Sequence, residues 1–142
     1  MKLEIKIKKG LSELPFMCTT ESVRKLLGDP DDTEELDNQS DGSLESIVWN
    51  YVNTGLNFFF DSTGPEPILS TIESDNLETE LSGKKVFQLT HAGIVALMKA
   101  EGFAEFEEED ETWGEHRVTF DDAQIDFYYD EQELTLVSWS SI

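Results

Sequence analysis

Two histidines (His91 and His116), one cysteine (Cys18) and 31 Asp and Glu residues are the side chains here with chemical reach. Histidines with scattered carboxylates are a donor set for a divalent metal. No His pair at i, i+4 and no HExxH run fixes such a site, however, so no metal is expected. Calcium suits abundant carboxylates, but residues 29–45, DPDDTEELDNQSDGSLE, lack the ligand spacing and fixed glycine of an EF-hand loop. Carboxylate pairs for glycoside hydrolysis arise by chance where acids are this dense, which makes that signal non-specific. Ser70, Ser138 and Ser140 sit in no GxSxG turn, Cys18 has no evident base, and no glycine loop cradles a phosphate. The expectation is a protein that is not an enzyme and uses no cofactor.

The acid itself is the stronger signal. The formal net charge is -21, and its self-repulsion costs stability. Residues 29–45 hold eight carboxylates and no base, and EFEEEDETWGEH, 105–116, holds seven with no Lys or Arg. No positive residue lies between Lys25 and Lys84, and after Lys99 only Arg117 remains. Such a surface repels nucleic acid and anionic membrane, so neither is an expected partner. Trp113 borders the second run, either as an exposed anchor beside steering charge or as a residue tucked back onto a helix.

A folded scaffold must carry this charge. The sequence is 38% hydrophobic and 11% aromatic, enough for a core and too aromatic for global disorder. A length of 142 residues fits one compact domain or two small halves sharing a core. The single cysteine excludes an internal disulfide framework, and Phe16 and Met17 beside it predict a buried thiol. The start, MKLEIKIKKG, alternates as a strand and lacks the apolar stretch of a secretion signal. No segment reaches membrane-spanning length, so a cytoplasmic location is expected.

Internal repetition orders the rest. LPFMCTTESVRKLL (14–27) lies over KVFQLTHAGIVALM (85–98) at an offset of 71, and LNFFFD (56–61) over IDFYYD (125–130) at 69. Thr19 or Thr20, and Thr90, are candidate N-caps. Val23, Leu26 and Leu27 stripe one helix; Ile94, Val95, Leu97 and Met98 stripe the other. Gly28 and Gly102 end them. Each half then holds an acidic connection, expected as a loop, and three strands, with Asn53-Thr54-Gly55 as a hairpin turn. The predicted fold is α+β: two tandem βαβββ repeats, 1–80 and 81–142, with helices packed on antiparallel sheet. Strand parity turns Leu56, Phe58, Phe60, Ile125, Phe127 and Tyr129 inward, and Asn57, Phe59, Asp61, Asp126, Tyr128 and Asp130 outward. Phe59 and Tyr128 make the outer face aromatic, so it either buries against the other repeat or floors a binding surface.

TTESVRKLLGDPDD, IVWNYVNTGLNFFFD and ILSTIES, followed by LSGKKVFQLTHAGIVALMKAEGF and VTFDDAQIDFYYDEQELTLVSW, resemble small bacterial proteins of tandem βαβββ form. Those proteins look like immunity proteins, which protect a bacterium from its own or a sibling's toxin. The layout is also similar to beta-lactamase inhibitor protein and to lipoprotein modules of outer-membrane assembly. Beta-lactamase is not the expected target, since one cysteine cannot supply that inhibitor's disulfides. The resemblance implies inhibition by binding. The implied partner is a toxin with a basic, nucleic-acid-cutting cleft, occluded at its active site. Asp31, Asp32, Glu34, Glu35, Asp37, Glu107, Glu108, Glu109, Asp110 and Glu111 would supply the field, with Trp113, Phe59 and Tyr128 as anchors. A nucleic-acid-mimicking inhibitor, an acidic interaction module without a toxin, and acidity inherited from a saline habitat stay open. Nothing in the sequence fixes an oligomeric state.

Overall fold

The computed structural model describes residues 2–37, 39–111 and 114–141. The chain opens with three short strands, β1 (Ile5–Lys6), β2 (Gly10–Leu11) and β3 (Leu14–Pro15), then helix α1 (Thr20–Leu27). Four strands follow: β4 (Asp32–Asp37), β5 (Leu44–Tyr51), β6 (Leu56–Asp61) and β7 (Ile68–Ser74). A small hairpin, β8 (Glu80–Leu81) with β9 (Lys84–Lys85), leads to helix α2 (His91–Ala100). The chain ends in β10 (Glu107–Asp110), β11 (His116–Phe120), β12 (Ile125–Asp130) and β13 (Glu133–Ser140). The architecture is α+β, as the sequence predicts.

Eight of these strands form one antiparallel sheet in the order β10-β11-β12-β13-β7-β6-β5-β4. The predicted parity holds: Leu56, Phe58, Phe60, Ile125, Phe127 and Tyr129 are buried, and their outward neighbours are not. Because paired residues share a face, the inner row runs from Trp49 across Phe58 and Ile72 to Trp139 and Ile125. Val23 of α1 and both Ile94 and Met98 of α2 join that row in one core cluster. Each fully buried side chain of this size contributes about 2 kcal/mol. Trp139, completely buried, also donates its indole N–H to the Gly10 carbonyl at 2.8 Å, which ties the N-terminal strands to the centre of the sheet.

Three expectations change. The acidic connections are not loops: residues 32–37 and 107–110 are strands, and they form the two outer edges of the sheet. Each set therefore has four strands rather than three. Asp and Glu are poor strand formers, but an edge strand has one side free for water, and charge there discourages pairing with another chain. The N-terminal strand pattern shrinks to Ile5–Lys6, although Leu3 and Ile5 are buried as alternation requires. Cys18 is half-buried rather than fully buried, and Met17 beside it has a positive φ of 78° and is exposed. Burial still pushes the thiol pKa up.

Among the described residues no helix is long and apolar enough to cross a membrane.

Candidate functional site

The acidic site residues lie on or directly beside the two edge strands of the sheet, and Phe59 and Tyr128 lie between them on β6 and β12. Every residue of β4 and β10 is exposed. Across seven interstrand steps of about 4.8 Å the two edges stand roughly 34 Å apart. Register places Asp32 opposite Asn50, Glu34 opposite Val48 and Val48 opposite Phe59. On the other edge Glu109 lies opposite Arg117, and Arg117 opposite Tyr128. Phe59 and Tyr128 therefore belong to the same outer face, which also carries Asp32, Glu34, Glu107 and Glu109. The two halves lie side by side within one sheet, so this face is not buried by one half against the other.

The carboxylates are not equivalent. Asp31 accepts a hydrogen bond from the Val52 amide at 2.7 Å and holds the approach to β4. Arg117, between Glu109 at 2.6 Å and Glu111 at 3.3 Å, offsets part of the charge at the β10 edge. Glu111 is correspondingly drawn in, its side chain only 13% exposed. Asp32, Glu34, Glu35, Asp37 and Glu107 remain as solvated charge. Trp113 lies outside the described residues.

Glu108 and Asp110 project from β10 to the other, inner face, since Asp110 is paired with His116 and Glu108 with Val118. Helix α2 meets them there. The Thr90 hydroxyl accepts from the Gly93 amide at 3.1 Å, a side-chain cap that starts the helix at His91. The His91 ring packs on Tyr129 with centroids 5.5 Å apart and on Phe106 at 6.4 Å. Glu108 Oε1 lies 2.8 Å from His91 Nε2 and 3.0 Å from His116 Nε2. His116 Nδ1 lies 2.8 Å from Asp110 Oδ1. The three groups border an open cleft of about 480 Å³ with Thr90, Tyr129 and Gln132.

Electrostatics follow the geometry. The hydrogen bond from His116, with that from His91, holds the Glu108 pKa below the usual carboxylate range. Glu108 first and Asp110 second raise the His116 pKa. Burial, with the Glu108 charge adding, pushes the Tyr129 phenol up to about 12, so it stays a neutral donor.

The sequence offered His91 and His116 as possible metal donors and no spacing to join them. Helix α2 and the β10–β11 pairing bring them together, with Glu108 between them. The sequence-level signal was weak: a histidine behind a capping threonine, and a histidine opening a strand beside an acidic run. Comparison with protein-family models, curated proteins and solved structures finds no match to this chain.

Proposed function

We propose that this chain neutralises a basic bacterial toxin by binding it, as a cytoplasmic immunity protein does, and performs no catalysis of its own. The observation that carries this reading is the placement of both acidic runs on ordered edge strands of one sheet. Charge fixed to a rigid frame pays less ordering entropy on binding than charge on a loose loop. It also raises encounter rates with a cationic cleft by orders of magnitude. Phe59 and Tyr128, on the outer face between the edges, offer the aromatic anchors that interfaces favour. A nuclease toxin fits best, because its cleft must be basic to hold phosphates.

We read the scaffold as two tandem repeats, 1–80 and 81–142, joined at β7 and β13, each with four strands after its helix where βαβββ would have three. What supports this is the pair of sequence offsets, the helix preceding four strands in each half, and the mirrored strand order about that join. Nucleic-acid mimicry is a second reading, favoured by strand geometry: alternate side chains recur about every 6.7 Å along an edge. Competition by duplex DNA for the same partner would separate it from plain charge pairing.

Co-expression with the toxin encoded next to this chain's gene tests the proposal. Native protein should restore growth. A variant carrying Asp32→Asn, Glu34→Gln, Asp37→Asn, Glu107→Gln and Glu109→Gln should protect at least tenfold less well. Full protection by that variant would refute the reading.

A further inference from the structure

We propose that His91, Glu108 and His116 form a binding site for a divalent transition-metal ion of the zinc class, held by the two Nε2 atoms and one carboxylate oxygen. The three donor atoms come from separate elements yet all lie within 4.8 Å of one another. Ligands at about 2.0–2.2 Å from a tetrahedral ion stand roughly 3.3 Å apart. The present separations of 2.8 and 3.0 Å to Glu108 therefore need to open by only a few tenths of an ångström. Two imidazoles with one carboxylate are donors suited to zinc and its neighbours rather than to calcium or magnesium.

Two further features belong to a metal site and not to chance proximity. Asp110 meets the other ring nitrogen of His116 at 2.8 Å. A carboxylate there keeps the proton on Nδ1, as it does in metal-bound histidines, so that an incoming ion would displace the Nε2 proton now shared with Glu108 and take that nitrogen as its ligand. Tyr129, 3% exposed, lines the same cleft, and its hydroxyl has no hydrogen-bond partner among the described residues. Buried hydroxyls are normally satisfied. This one is left unmatched beside the cleft. The ion would fasten edge strand β10 to the start of α2, on the side of the sheet opposite Phe59 and Tyr128. The site stands whether or not the chain neutralises a toxin.

Zinc titration of the full chain tests it, read by calorimetry and by side-chain ¹⁵N spectra of its two histidines. One equivalent should saturate, shifting both Nε2 signals while both Nδ1 atoms stay protonated. His91→Ala, His116→Ala and Glu108→Gln should each weaken binding at least tenfold, and Asp110→Asn about tenfold. The variant with Asp32, Glu34 and Asp37 neutralised should bind as the native chain does. Equal binding by the His91→Ala/His116→Ala double variant would overturn the site and leave only diffuse attraction to surface acid. Unmoved Nε2 signals in the native chain would overturn it as well, and that readout requires no variant to fold.

Discussion

Thr71 and Ser140 share a side-chain hydrogen bond of 2.9 Å across the join between β7 and β13. They are paired directly in the register, and they stand 69 residues apart. The bond ties together two neighbouring strands at the middle of the sheet, one from each half of the chain. The join is also where the core is heaviest, for Trp139 pairs with Ile72 one position away and both are completely buried.

Trp139 fastens the N-terminal strands to that join through its indole N–H. Trp139→Phe should cost about 2 kcal/mol, from lost volume and from leaving the Gly10 carbonyl without its donor. Denaturant unfolding should show a lower midpoint with an unchanged slope.

Gly10 itself tolerates no side chain. Its φ is 142°, and a Cβ there would stand 2.1 Å from the Leu14 carbonyl oxygen. Gly10→Ala should destabilise by at least about 3 kcal/mol, whereas Gly42→Ala, strained by its φ of 74° but with no atom to meet, should cost about 1 kcal/mol. Thermal unfolding of the two variants side by side measures the difference.

The two helix starts differ in a testable way. Thr90 caps α2 by accepting from the Gly93 amide, but Thr19 makes no such bond to α1 and instead lies 3.4 Å from the Ser22 hydroxyl. Thr90→Ala should therefore cost about 1 kcal/mol and Thr19→Ala a few tenths. Amide exchange in α2 should quicken only in the first variant.

Glu73 gives a pH dependence. It is half-buried on the outer face between Asn57 and Ser138, and burial raises its pKa above 4.5, partly countered by a hydrogen bond with Asn57. A raised folded-state pKa means that the charged form is disfavoured by folding. The cost is fully present above the folded pKa and disappears as pH falls through it towards the unfolded value. Glu73→Gln should be more stable than the native chain by about 1 kcal/mol at pH 7. The advantage should shrink on acidification towards pH 4.5. Unfolding midpoints of both proteins across that range provide the check.

Much of the scaffold was legible in the sequence because burial leaves a periodic signature. Val23 and Ile94 with Met98 mark the packed helix faces, and Phe58 and Phe127 mark the inner face of the sheet. The acidic edge strands were not legible, since DTEELD and EEED carry neither apolar alternation nor strand propensity. Their backbone is extended because β5 and β11 present a free ladder beside them. The His91–Glu108–His116 cluster was hidden for a different reason. Its members are 17 and 8 residues apart, on a helix and two strands, and only tertiary packing decides that they meet.

The central claim is that ordered carboxylates on β4 and β10 capture a cationic protein, and the association rate constant measured against ionic strength tests it most directly. With the toxin encoded beside this chain, the native rate should fall at least tenfold between about 0.05 and 0.5 M salt. Neutralising Asp32, Glu34, Asp37, Glu107 and Glu109 should lower the rate at low salt and flatten that slope. A native rate indifferent to salt, or the same slope in the neutralised variant, would contradict the account.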